Sequence, residues 1–418
     1  MMMSNRKSLH VAMFHGFGSC AWDTDFAACH LGGRMVNETI KYSKRLDVLP
    51  PYVFAQIDTL KAEKEAQGID VIDLGVGDPD QPTPPHIIDS LVRAAHNDAN
   101  HRYPSSEGML AFREAVSAWY AKKGIAVDPA REASALIGSK EGIAHLPLAF
   151  INRGDKVLVP DPAYPVYRIA TIMADGKPIS MPLTADNGFL PDIDKAVTDA
   201  KLLFINYPNN PTAAVADSGF FRAIVDYASD NDIIVCHDAA YLELTYDGYA
   251  APSFLSTPGA MDVGIEIGSL SKTYNMTGWR IGFAVGNADV IAGLRKVKSN
   301  LDSGAFQAVQ EAGISAMTGP QDTVDVLKKL YSERRDALVD GLRNIGWSVD
   351  KPKATFYVWA PVPDGSSSLE FSMRLLNAGI VATPGSGFGD HGEGYIRFAL
   401  TVPVSTIEEA VTRLQEVL

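Results

Sequence analysis

Short, continuously apolar runs alternate with stretches of helical period through most of the chain. The runs Lys156–Val159, Lys201–Ile205, Ile233–Cys236, Val263–Ile267 and Ile281–Val285 are four or five residues long. Runs of that length and composition predict strands buried on both faces, as in a mostly parallel sheet covered by helices. Helical stretches such as Phe220–Ala228 separate them, the βα alternation of an α/β domain. Upstream, a charged helix over Ala55–Ala66 leads to a strand over Val71–Leu74. Pro84-Pro85 opens a helix with an apolar face of Ile87, Ile88, Leu91, Val92 and Ala95, and the next helix carries Phe112, Val116 and Trp119. Downstream the pattern changes to a long helical region, Asp289–Met317, and a second, Thr323–Arg343. Strands over Ala354–Trp359, Ile380–Ala382 and Tyr395–Ala399 follow, with a last helix over Thr406–Leu418. We expect a large domain over 86–300, and a connecting helix with a smaller α/β domain over 301–418. Residues 37–85 are expected to join the small domain. Residues 1–36 carry no sustained period, and a second start-like Met35 closes them, which predicts a disordered extension that the protein can do without.

Composition narrows the function classes. The chain has 418 residues, 46% of them hydrophobic, and a formal net charge of -13. That charge argues against a nucleic-acid partner, which needs a basic face. No apolar run approaches the roughly 20 residues of a membrane span. Three cysteines without a C-x-x-C pair suit a reducing cytoplasm and no metal site.

The polar clusters fall where the predicted strands end, and ligands of such sheets sit at carboxyl ends. Lys272 lies between two predicted strands with Ser269 and Ser271 before it and Arg280 after it. A partly desolvated lysine can bond covalently to an aldehyde, and hydroxyls with a guanidinium clamp a phosphate. The alternative is a solvated Lys and Arg on a polar loop. Gly138-Ser139-Lys140-Glu141-Gly142 opens a helix whose free N–H groups favour a phosphate, or is a simple cap. Asp238 follows an apolar strand and can hold a ring nitrogen protonated, or cap a helix. Tyr241 and Asn210 can bond a phenolic oxygen, and Tyr164 can stack on a ring; each is otherwise a loop residue. Arg397 sits on an apolar strand, where its charge needs an anion: a substrate α-carboxylate or a structural carboxylate. Gly75-Val-Gly77-Asp-Pro79 is an extended loop that lets backbone approach a ligand.

Asn210-Pro-Thr, Asp238-x-x-Tyr241, Ser269-x-Ser-Lys272, Arg280 and Arg397 have the order and spacing of the fold type I, class I/II aminotransferases, which the chain resembles over residues 40–418. The resemblance implies the pyridoxal phosphate (PLP)-dependent transferase fold, with Lys272 as the covalent lysine, Asp238 as partner of the ring nitrogen, and Tyr241 and Asn210 on the phenolic oxygen. It implies a phosphate site of Ser139, Lys140, Ser269, Ser271 and Arg280, and an α-carboxylate site at Arg397. It also implies a homodimer in which Tyr103 reaches the neighbour's phosphate. One departure is Ala213, where the commoner pattern has Gly; Ala is expected to cost little unless φ is positive there.

A finer resemblance is to the LL-diaminopimelate aminotransferases of lysine biosynthesis, carried by Leu49-Pro-Pro-Tyr52, Asp161-Pro-Ala-Tyr164-Pro-Val-Tyr167, Asn187-Gly-Phe-Leu-Pro-Asp and Ser271-Lys-Thr-Tyr-Asn-Met-Thr-Gly-Trp. It implies transfer from glutamate to tetrahydrodipicolinate, with Tyr52 and Asn187 at substrate-contacting positions. Lys140 is expected to serve the distal carboxylate as well. Glu107, four residues after Tyr103, is expected to meet the distal ammonium from the partner subunit. The alternative is another class I aminotransferase, acting on aspartate, alanine or aromatic amino acids.

Overall fold

The computed structural model describes residues 41–49 and 53–418. Residues 1–36 and Tyr52 therefore lie outside the described residues. A short helix, Lys44–Asp47, belongs to a unit separate from Val48–Leu418 and buries none of its residues.

The strands are β1 (Ile72–Asp73), β2 (Ala133–Leu136), β3 (Lys156–Asp161), β4 (Lys177–Pro182), β5 (Ala200–Asn206), β6 (Ile234–Asp238), β7 (Gly264–Ser269) and β8 (Gly282–Gly286), then β9 (Tyr357–Pro361), β10 (Ile380–Val381), β11 (Thr383–Pro384) and β12 (Tyr395–Ala399). Seven form one sheet in the order β2-β8-β7-β6-β5-β3-β4. β4, β3, β5, β6 and β7 run parallel, and β8 alone runs against its neighbours β7 and β2. Successive side chains point to opposite faces. Leu203 and Ile205 thus join one apolar core while Leu202 and Phe204 join the other. A third core gathers β9, β12 and the helices Asp322–Asn344 and Val404–Leu414. β1, from the N-terminal part, pairs in parallel with β10, and β9, β12 and β11 form an antiparallel sheet.

The local signals explain most boundaries. Asp217 caps the helix Ser218–Asp230 by accepting from Phe220 N, and Ser367 with Glu370 forms a capping box on Ser368–Asn377. Three expectations need correction. The region 289–317 is two helices, Ala288–Leu301 and Gln307–Thr318, because the chain turns at Gly304 with φ +80. β2 and β4 gave no apolar run: β2 is Ala-Ser-Ala-Leu, and β4 is an edge strand with two prolines, tolerated where no ladder partner follows. In the helix Pro85–Ala95, Ile87 is buried, whereas Ile88 and Val92 are 39% and 50% exposed.

Candidate active site

A cavity of about 360 Å³ opens where the carboxyl ends of β5, β6 and β7 meet the β9–β12 sheet. One wall carries Ser139 and Lys140, at the start of the helix Ser139–Phe150, with Asn206, Asn210, Asp238, Tyr241, Ser269, Ser271, Lys272 and Arg280. Gly77, Tyr357 on β9 and Arg397 on β12 close it from the other side. Tyr164 also lines it, with Lys140 Nζ 5.8 Å from its ring centroid.

Lys272 Nζ donates to the carbonyl of Gly77 at 2.8 Å. Burial brings its pKa down to about 8; Asp78 opposes the shift, and Arg397 and Arg280 assist it. A fraction of the amine is therefore unprotonated near neutral pH. Asp238 ends β6, so alternation sends Val235 and His237 to one face of the sheet and Cys236 and Asp238 to the other. Its carboxylate caps no helix. Tyr167 donates to Oδ2 at 2.8 Å, and Oδ1 is buried with no hydrogen-bond partner. Burial raises the carboxyl's pKa, against the Tyr167 bond, the His237 charge and the Ala240 N–H.

Arg397 is buried, with its guanidinium 4.3 Å from the Tyr357 ring and 4.7 Å from that of Phe388. It donates to Asn210 Oδ1 at 2.8 Å and to the carbonyl of Gly75 at 2.6 Å. Both partners are neutral, and a carboxylate is a stronger acceptor for the same fork of donors. The hydroxyls of Tyr241 and Tyr357 lie 3.1 Å apart. Arg280 takes φ +54 and its guanidinium lies against Gly138, where an added side chain would strike it. That places the guanidinium over the N-terminus of the helix Ser139–Phe150, beside Ser269 and Ser271.

This constellation fits pyridoxal phosphate. The buried, unsatisfied Asp238 Oδ1 has the geometry of an acceptor awaiting a protonated ring nitrogen. The helix N-terminus, three serines and Arg280 make an anion cradle.

Among the described residues Asn187, Tyr103 and Glu107 do not line the cavity of this chain, the last two having been expected to serve the partner subunit's site. Tyr52 lies outside the described residues. Asn187 accepts from the backbone N of Thr184 at 3.0 Å in a short capping box, so its side-chain oxygen is spent on its own turn. Tyr103 is 89% exposed. Glu107 pairs with Arg113 at 3.1 Å and with Arg295 at 2.9 Å within its own subunit, its side chain 36% exposed. Sequence reasoning missed Tyr167, Tyr357, Asn206 and Val76. Asn206 closes an apolar run just ahead of the Asn210 cluster and was the one most open to recognition. Ala213 takes φ +57, so the left-handed condition set for its Gly-to-Ala change is met and the residue carries strain.

Comparison with known proteins agrees with this geometry. The family model described as "Aminotransferase class I and II" matches residues 69–414. A curated relative from Moorella thermoacetica, named LL-diaminopimelate aminotransferase, is 58% identical over 382 residues, covering 90% of this chain and 98% of its own. Among solved structures, substrate-bound BacF from Bacillus subtilis is 36% identical, with a TM-score of 0.88, over 90% of this chain and 98% of its own. A single mutant of Thermus thermophilus aspartate aminotransferase is 27% identical, with a TM-score of 0.85, over 91% and 100%.

Proposed function

Since this chain belongs to the class I and II aminotransferases, we propose that it moves an amino group between glutamate and tetrahydrodipicolinate, forming LL-diaminopimelate and 2-oxoglutarate. The observation that carries the substrate is the 58% identity to a relative of that name over nearly the full length of both chains. Enzymes of this family use pyridoxal phosphate, which when bound supplies a carbonyl that bonds to amines and a ring that draws electrons from the substrate α-carbon.

The chain's own residues divide the work. Ser139, Ser269, Ser271 and Arg280 hold the phosphate, with Lys140 beside them. Asp238 Oδ1 holds a proton on the ring nitrogen, and the dry surroundings strengthen that attraction. Tyr241 and Asn210 bond the phenolic oxygen, while Tyr164 stacks on the ring. Arg397 binds the substrate α-carboxylate by exchanging its carbonyl and amide partners for a charged one. Lys272 Nζ, partly neutral because it is desolvated, takes the proton from the α-carbon of the amino donor and, in the second half-reaction, supplies one to the α-carbon of the acceptor. One lysine serving two substrates in turn gives ping-pong kinetics.

A homodimer and cytoplasmic residence belong to the same proposal. The dimer is supported by exposed Tyr103, Leu110 and Phe306; the Phe306 ring is 6.4 Å from that of His101, two residues before Tyr103. Unpaired, buried Cys236 suits a reducing compartment. Among the described residues no helix is long and apolar enough to cross a membrane.

A half-reaction screen on the purified holoenzyme tests the substrate. LL-diaminopimelate and glutamate should each convert the cofactor, read by absorbance, far faster than aspartate, alanine or phenylalanine. Preference for one of those three would replace the substrate and leave the reaction class standing.

A further inference from the structure

Tyr167 lies outside the cavity wall, yet it touches two residues that form it. Its side chain is fully buried. Its hydroxyl donates to Asp238 Oδ2 at 2.8 Å. Its ring stacks on Phe204 at 5.1 Å and 21°, which fixes the plane of the phenol. On its other side it meets Tyr164 edge-on at 6.1 Å, the residue that stacks on the cofactor ring in the function proposed above.

A carboxylate has two equivalent oxygens and can offer either. With Oδ2 occupied by the phenol, Oδ1 is the oxygen left to accept, and it is the buried one without a partner. We propose that Tyr167 is a positioning residue for the reaction: it turns Asp238 so that Oδ1 meets the cofactor's ring nitrogen, and it keeps that carboxylate ionised in a dry site. The inference rests on the role proposed above for Asp238.

The electrostatics agree in direction. The titratable groups that face Asp238 are Tyr167 from the helix Val166–Met173, Cys236 and His237 on its own strand, and Tyr241 beyond it. Burial raises the Asp238 carboxyl, and the Tyr167 bond is the largest influence opposing that rise. Without the hydroxyl the carboxyl protonates at higher pH, and a protonated acid no longer holds the ring-nitrogen proton.

Tyr167→Phe removes one oxygen while keeping the ring against Phe204 and Tyr164. In the holoenzyme the cofactor dissociation constant, read by absorbance, should rise about 10- to 100-fold, the range for a hydrogen bond to a charged group. The acid limb of the kcat/KM profile should move to higher pH by about one unit. The thermal midpoint should stay close to wild type. A Y167F enzyme with wild-type cofactor affinity and an unmoved acid limb overturns the inference. An insoluble Y167F also counts against it, because the hydroxyl would then serve the fold rather than Asp238. Asp238→Asn separates the two readings. If D238N keeps both cofactor affinity and turnover, the role of Asp238 falls; if D238N loses them while Y167F does not, Tyr167 alone falls.

Discussion

Two buried carboxylates on neighbouring strands of one sheet have opposite circumstances. Glu266 on β7 is enclosed by donors: Tyr120 Oη at 2.6 Å, Ser253 Oγ at 2.9 and 3.0 Å, the backbone N of Phe254 at 3.0 Å and His237 Nδ1 at 2.9 Å. Burial alone would raise its pKa, but the bonds from His237, Tyr120 and Ser253 bring it below the ordinary value. Asp238 on β6, one residue after His237, has one oxygen bonded by a side chain and the other by nothing, and its pKa is raised. Both residues are buried, at 5% exposure for Asp238 and 0% for Glu266, so burial alone does not account for the opposite shifts. A fully satisfied carboxylate holds the fold together, whereas a half-satisfied one is waiting for something to bind.

The comparison breaks most visibly at Asp238. Asp238→Ala should cut kcat on the order of 10³-fold or more, because the ring-nitrogen partner is lost, while within the fold one side-chain donor, the Tyr167 hydroxyl, loses its acceptor. Its denaturant midpoint should remain near wild type; near-normal turnover in folded protein would make Asp238 a second structural acid. Glu266→Ala reverses the pattern. Four buried donor groups lose their acceptor, at about 1–3 kcal/mol for each one left unsatisfied, read as a fall in the free energy of unfolding. The surviving folded enzyme should turn over at close to the wild-type kcat. A stable but inactive E266A would erase the distinction. Lys272 extends the contrast to a cation whose desolvation is poorly offset. Its pKa of about 8 lies below that of a solvated lysine, so the neutral amine is gained as pH rises through 8. Acetylation of Lys272 in cofactor-free protein, followed by peptide mass spectrometry, should therefore level off above about pH 8. A solvated lysine keeps gaining reactivity to about pH 10.4.

What the sequence revealed and concealed follows from the same physics. Lys272, Asp238, Asn210 and the serines sit within a few residues of an apolar run, and a parallel strand sends whatever follows it to one rim. Arg397 was legible for a different reason, since a charge on an apolar strand stands out. Tyr167 and Tyr357 look like ordinary core aromatics, and only the fold shows their hydroxyls meeting Asp238 and Tyr241. Glu107 was expected at the distal ammonium, and its pairing with Arg113, six residues on, and with the far-off Arg295 is a tertiary contact that spacing alone does not reveal. The missed break at 302–306 had a local signal in Gly304, outweighed by the apolar pattern on both sides.

Lys272 and Arg397 both hold carbonyls of one short loop, those of Gly77 and Gly75. Two of the cations that line the site are thus engaged with its own backbone. Arrival of a ligand is then an exchange of partners, and the measured affinity is a difference between two sets of bonds. Molecules that offer only a neutral oxygen gain little by that exchange, while a carboxylate gains its full charge. The backbone of two glycines thus sets the threshold a visitor must exceed to stay.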